Sequence, residues 1–238
     1  MELHRWLRYA LPGALFELTF GVWLYLDSRA CDCYPDFPEF DTATAAAIAA
    51  ATLPIGFVLS VLMHTILWCR HDGWPFRRIE AVSILRDSES AIQSERLREL
   101  VATADLENDL ERAHACLDAV LHLDAGSADR NAALGRARAL IDLMNGLAIS
   151  CTAIVVSILS ILGTLIVTLV RSGAWTEGSD WWWRAAVLAG ALVVSGFLAC
   201  FFWRSQRTVA RITNHYLQAL LAGLAQPPTA KAETGGQT

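Results

Sequence analysis

A carboxylate stands inside an apolar stretch near the start of the chain. The segment "GALFELTFG", residues 13–21, contains Glu17 among residues that are almost all apolar. An ionised carboxylate is costly in hydrocarbon, so in a membrane Glu17 must be neutral, paired or in contact with water. Ionisable residues in membrane helices are functional by default, which makes Glu17 a candidate for proton exchange.

His64, in the next apolar run, is the best partner for Glu17 that the sequence offers. If Arg8 and Arg70 mark one membrane surface, Glu17 lies about 13 Å and His64 about 9 Å from it, a difference of about one helical turn. A Glu17–His64 pair would exchange protons. The alternative is a protonated carboxyl that hydrogen-bonds a hydroxyl and fixes helix packing. The hydroxyls considered for that role are those of Thr52 and Ser60.

A second group of titratable residues shares one helical face, because its members are three or four residues apart. These residues are Glu111, His114, Asp118 and His122. A di-iron site in a helix bundle needs the Glu-x-x-His motif twice, together with further glutamates, and one copy is present. A solvated face with a ladder of His and Asp is the ordinary interpretation, so we predict no metal and no cofactor.

Motifs of catalysis are scarce. The sequence has no phosphate-binding glycine loop, no nucleophile elbow and no zinc-binding spacing of Cys and His. We therefore predict that the protein is not an enzyme.

The composition is that of a membrane protein. Of the 238 residues, 54% are hydrophobic and 18% are charged, whereas soluble domains have about one quarter charged residues. Four runs approach or exceed the roughly 20 residues that cross a hydrocarbon core. They cover residues 6–26, 45–69, 146–170 and 185–203. The first run has a rival interpretation as a cleaved signal peptide, which the acid at its centre disfavours.

Arginine sets the orientation of these spans, because cytoplasmic loops are enriched in basic residues. One side of the four-span arrangement carries Arg5, Arg8, Arg70, Arg77, Arg78, Arg136, Arg138, Arg204, Arg207 and Arg211. The other side carries Arg29, Arg171 and Arg184. We therefore predict that both termini and the long middle segment are cytoplasmic.

The predicted fold class is an all-α membrane protein with four transmembrane helices. Residues 1–69 form a hairpin of the first two spans with an acidic outer loop at 27–44. Residues 70–127 form a helical cytoplasmic segment. Residues 128–222 form a long hairpin of the last two spans, whose helices extend into the cytoplasm. One helix of about 40 residues is expected after Ser127, and 223–238 reads as a disordered tail.

The outer loop "DSRACDCYPDFPEFD" combines acids with two cysteines. A cation site and a solvated loop are both compatible with it, and the ligand spacing favours the solvated loop. Cys31 and Cys33 face an oxidising compartment in this topology. An intersubunit disulfide and free thiols both remain open for them.

The last two spans resemble those of the MotA/TolQ/ExbB proton-channel family, most nearly its MotA branch. The segment "SILSILGTL" from Ser157 keeps the family's Leu-Gly-Thr as Leu162, Gly163 and Thr164, and "ALVVSG" at 191–196 has Ser195 in place of a threonine. The order of spans and the basic helical exit after residue 203 are also similar. The sequence departs from the family pattern where Ser157 replaces a proline.

The resemblance implies an oligomeric inner-membrane proton channel or stator-like subunit that couples ion flow to a partner. It places Thr164 and Ser195 along the ion path, beside Glu17 and His64 as candidates from the residues themselves. Small residues for helix packing would be Ser160, Gly163 and Gly196. In the family a single-span partner supplies an intramembrane aspartate. The alternatives are a four-helix pore or effector gated by its cytoplasmic helices, and a non-conducting membrane scaffold.

The predicted topology can be tested by cysteine labelling in intact cells. A membrane-impermeant maleimide is expected to modify Cys31 or Cys33, unless they are bridged, and to leave Cys116 untouched. Labelling of Cys116 from outside would invert the topology.

Overall fold

The computed structural model describes residues 3–30, 41–68, 76–87, 99, 110–123, 128–172 and 181–224. Within these ranges every regular element is helical and none is a strand. The helices are α1 (Leu3–Phe16), a π-helical segment (Glu17–Gly21), α2 (Val22–Ala30), α3 (Thr42–Trp68), α4 (Ala81–Asp87), α5 (Leu110–Leu123), α6 (Ala128–Ser172) and α7 (Trp181–Leu224). The all-helical class is therefore confirmed.

Four helical stretches are long and apolar enough to cross a membrane, as the sequence predicts. They are Arg8–Asp27, Thr42–Thr65, Asn131–Val167 and Ala185–Leu221. The first of them is continuous: Pro12 lies inside α1, and the π-helical segment joins α1 to α2. Residues 31–40 of the predicted outer loop, which include both cysteines, lie outside the described residues. Of the rest of that predicted loop, 27–30 belong to α2 and 42–44 to α3.

The helix starts and lengths follow from local sequence. Asp41 caps α3, since the backbone N–H of Thr44 donates to its Oδ1 at 2.7 Å. This hydrogen bond lowers the pKa of Asp41. The long helices α6 and α7 have 45 and 44 residues and contain no proline, so the expected continuous helix after Ser127 is confirmed.

Contacts divide the chain into two units that are each discontinuous in sequence. Unit 1 comprises Met1–Arg77 and Asp142–Thr208, and unit 2 comprises Arg78–Ile141 and Val209–Thr238. Both α6 and α7 contribute residues to each unit.

Unit 1 has an apolar core between α3, α6 and α7. Its buried residues are Leu59, Met63, Phe76, Ala148, Ile149, Cys151 and Ala153. The buried side chain of Gln206 holds the backbone at Arg77: its Nε2 donates to the Arg77 carbonyl at 2.7 Å, and its Oε1 accepts the Arg77 N–H at 3.2 Å. The chain after Phe76 thus keeps its backbone groups hydrogen-bonded without being helical.

The closest helix contact in unit 1 joins α1 and α3 at two glycines. A Cβ on Gly13 would overlap the backbone carbonyl of Thr52, and a Cβ on Gly56 would overlap the backbone carbonyl of Tyr9. The order of these pairs shows that α1 and α3 are antiparallel. Helices in lipid associate through close packing at small residues, and this crossing is of that kind.

Unit 2 is built around an apolar core from α4, α5, α6 and α7. Its buried residues are Ala81, Ile84, Leu85, Ala113, Cys116, Leu117, Leu134, Ala137, Leu217 and Leu221. The Asn214 amide anchors the segment before α4, because its Nδ2 donates to the Arg78 carbonyl and its Oδ1 accepts the N–H of Glu80.

Since Cys116 is buried, Ala115→Cys, at an exposed position of α5, is the better reporter of sidedness.

Gly13→Ala is expected to destabilise the protein, because the new methyl group would meet backbone atoms of Thr52 and force the helices apart. Overpacking of this kind costs about 1–3 kcal/mol. Thermal unfolding in detergent measures the loss. The control is Gly190→Ala, where a Cβ meets nothing within 4 Å. Equal melting temperatures for the two variants would contradict the close crossing.

Candidate functional site

Two stripes with four-residue spacing face each other where α1 and its π-helical continuation pack on α3. Residues four apart lie on one side of a helix, so each stripe runs along one face. The first consists of Tyr9, Gly13 and Glu17, and the second of Thr52, Gly56, Ser60 and His64. Because the helices are antiparallel, Glu17 comes to lie beside Thr52.

Glu17 is half-buried and its two carboxyl oxygens are unlike. The Thr52 hydroxyl lies 2.5 Å from Glu17 Oε2 and donates to it. Oε1 is buried and has no hydrogen-bond partner among the described residues. A buried oxygen without a partner is costly, so this atom requires a proton, a water molecule or another donor.

The helix is widened at Glu17, which begins the π-helical segment Glu17–Gly21. Such segments are rare and occur often at functional sites. The Thr19 hydroxyl lies 2.6 Å from the Leu15 carbonyl and 2.8 Å from the Oγ of Ser157 on α6. Ser157 is buried and donates to the Ala153 carbonyl at 2.9 Å. The widened turn is thereby tied to α6.

A second polar cluster joins α1, α3 and α6 at Arg8. The Arg8 guanidinium contacts the Nε2 of His64 and the Oδ1 of Asp142, both at 3.4 Å. The Nδ1 of His64 lies 2.7 Å from the Ser60 carbonyl, and its N–H donates a hydrogen bond to that oxygen. With Nδ1 as the donor, a neutral His64 presents the lone pair of Nε2 to Arg8.

The charges in this cluster are only partly shielded from solvent. The side chains of Arg8 and Asp142 are 23% and 19% exposed. Arg8 Nε is buried and has no partner among the described residues. Arg8 begins the first candidate span, whereas Glu17 lies nine residues further, about 13 Å along the helix.

The structure does not bring Glu17 and His64 together. Glu17 takes the alternative kind of partner, the hydroxyl of Thr52. Thr52 and His64 are twelve residues apart on α3, about 18 Å along its axis. The estimated depth of His64 in the membrane was wrong. It put His64 close to the level of Glu17, whereas His64 lies at the level of Arg8.

The hydroxyls that the family resemblance puts along the ion path lie on α6 and α7. Thr164 is half-buried and donates to the Ser160 carbonyl of its own helix at 2.8 Å, and Ser195 is buried. A Cβ on Gly163 or Gly196 meets nothing within 4 Å. These glycines therefore make no close helix contact within the described part of the chain.

On the titratable face of α5 the structure describes the side chains of His114 and Asp118, whereas those of Glu111 and His122 lie outside the described residues. No group of three or more His, Cys, Asp or Glu residues that could hold a metal ion occurs in the described ranges. Burial, and secondly the positive charge of Arg78, lower the pKa of His114. Asp118 is exposed. His114 is thus part of the packing of unit 2.

Four residues at the helix contacts of unit 1 were not predicted from the sequence. They are Gly13 and Gly56 at the close crossing, and Asp142 and Thr19 in the polar contacts. The four-residue repeats along the first two spans were a signal that could have found the glycines, because small residues at this spacing typify close helix crossings. No comparable signal exists for Asp142, which lies far from Arg8 in sequence.

Comparisons with models of known protein families, with curated proteins and with solved structures found no match for this chain.

Proposed function

We propose that the protein is an oligomeric membrane subunit that moves protons, and that Glu17 is the group that exchanges them. The observation that supports this is the Glu17 carboxyl, of which one oxygen is hydrogen-bonded and the other is buried with no partner in the part of the chain that the structure describes. It lies inside a stretch that is apolar and long enough to cross a membrane.

The chemistry of the carboxyl suits this task. An acid in hydrocarbon binds a proton readily, because its neutral form avoids the cost of burying a charge. The Thr52 hydroxyl stabilises the ionised form by donating to Oε2. We place the exchange at Oε1, the oxygen that has no hydrogen-bond partner among the described residues.

The Arg8, His64 and Asp142 cluster is the point at which protons reach the path. The cluster lies at the cytoplasmic end of the first span in the topology that the arginine distribution predicts. Transfer over the remaining distance of about 13 Å to Glu17 requires a chain of water molecules.

Oligomerisation and a partner follow from the resemblance to the MotA/TolQ/ExbB family. The open positions at Gly163 and Gly196 are compatible with contacts to another copy, and Thr164 and Ser195 are the hydroxyls nearest to them in sequence. The chain in this proposal is a stator-like subunit of the inner (plasma) membrane. A possible single-span partner with an intramembrane aspartate would couple the proton flow through this subunit to work.

A non-conducting membrane scaffold is the second candidate. One observation favours it: the polar contacts of unit 1 join different helices, as in Glu17–Thr52, Thr19–Ser157 and Arg8–Asp142. Contacts of this kind stabilise helix packing in lipid without any transport.

Glu17→Gln separates the two candidates, because it keeps an acceptor for Thr52 and removes the titration. The purified chain is reconstituted in vesicles with an internal pH-sensitive dye, and proton influx is driven by a valinomycin potassium potential. We expect Glu17→Gln to reduce the influx at least tenfold, in line with the loss of an obligatory exchanging group.

The control for this experiment is Glu80→Gln, the same chemical change at an exposed position of unit 2, which is expected to conduct like the parent. If Glu17→Gln assembles normally and conducts as fast as the parent, the proton role is refuted. If the parent chain does not conduct protons either, the result favours the scaffold.

Gly163→Leu tests the oligomer. A Cβ on Gly163 meets nothing within 4 Å in the described part of the chain, so we expect a leucine there to obstruct contacts with another copy more than the fold of the single chain. Native mass spectrometry in mild detergent is expected to show a smaller assembly for Gly163→Leu than for the parent. Gly135→Leu, also at an open position but in unit 2, is the control. A monomeric parent chain would contradict the proposal.

A further inference from the structure

A basic and aromatic surface lies where the apolar run of α7 ends. Trp203 is half-buried, and Arg204 and Arg207, which follow it, are exposed. The helix α7 contains no acidic residue over its 44 positions. This stretch of the helix therefore carries positive charge that nothing on its own element offsets.

The guanidinium of Arg207 is folded back toward the apolar run. Its carbon lies 5.1 Å from the centroid of the Trp203 ring, which precedes it by one helical turn. A tryptophan ring prefers the level of the lipid headgroups, because its body is apolar and its N–H is polar. Arg207 is thus held at the depth where lipid phosphates lie.

Among the described residues, Arg204 and Arg207 form no ion pair with a carboxylate of unit 1. The described part of unit 1 has four carboxylates, those of Glu17, Asp27, Asp41 and Asp142. Asp27 is buried at the end of the first candidate span opposite to Arg8. Thr52 binds Glu17, and Arg8 binds Asp142. Asp41 precedes α3, at the end of that helix opposite to His64. Arg204 and Arg207 therefore keep their donors available for an anion from outside the chain.

We propose that Trp203, Arg204 and Arg207 bind the headgroup of an anionic phospholipid. The planar guanidinium groups donate pairs of hydrogen bonds to phosphate oxygens, and the Trp203 ring, which packs against the apolar core of unit 1, positions Arg207. The surface selects the lipid by charge, since a zwitterionic headgroup offsets its phosphate with its own cation. This inference requires membrane insertion of α7 and is independent of proton exchange at Glu17.

The test compares two lipids on the detergent-purified full chain. Native mass spectrometry follows the titration with phosphatidylglycerol and with phosphatidylcholine. The parent is expected to bind phosphatidylglycerol more tightly. The double variant Arg204→Gln/Arg207→Gln is expected to weaken phosphatidylglycerol binding about 30-fold, which corresponds to about 1 kcal/mol for each arginine near the headgroups. Binding of phosphatidylcholine is expected to stay unchanged.

The matched control is Arg136→Gln/Arg211→Gln, which removes the same charge from exposed arginines of unit 2. It is expected to keep the preference for phosphatidylglycerol. The proposal is overturned if the parent binds the two lipids equally, if the double variant at 204 and 207 keeps the preference, or if the control loses as much. The proton flux of the Glu17→Gln variant does not affect these lipid-binding results. The proposal of lipid binding and the proposal of proton transport can therefore be refuted independently.

Discussion

The close approach of two helix backbones at Gly13 and Gly56 governs the polar chemistry of unit 1. Neither position has room for a Cβ, since each glycine faces a backbone carbonyl of the other helix. In lipid no hydrophobic force drives helices together, so packing and hydrogen bonds decide where they cross. The crossing at these glycines sets the register of α1 against α3, and the register decides which side chains meet.

Two polar contacts follow from that register. The carbonyl of Thr52 lies against Gly13, and its hydroxyl reaches Glu17, one turn further along the first span. At the other end of the same crossing Arg8 reaches His64. A displacement of one helix by a turn, about 5 Å, would separate both pairs. The acid and the base are therefore kept apart by the packing that gives each of them a partner.

A buried amide holds non-helical backbone in each unit, Gln206 in unit 1 and Asn214 in unit 2. Unit 1 places its polar side chains in contacts between helices, such as Thr19 with Ser157. Unit 2 has a compact apolar core, and the Asn214 amide holds the backbone of the chain that leads into α4. Because a helix supplies its own backbone hydrogen bonds, the long α6 and α7 can contribute to both units without interruption.

The sequence alone determined the four apolar helices, the all-helical class and the uninterrupted length of α6 and α7, because these depend on local composition, length and the absence of proline. It also singled out Glu17 and named Thr52 as one of its alternative partners. Only the tertiary structure decided between Thr52 and His64, and it added Asp142 as a partner of Arg8. The reason is that contacts across helices depend on register and facing, which a close crossing at two glycines establishes and hydropathy does not encode.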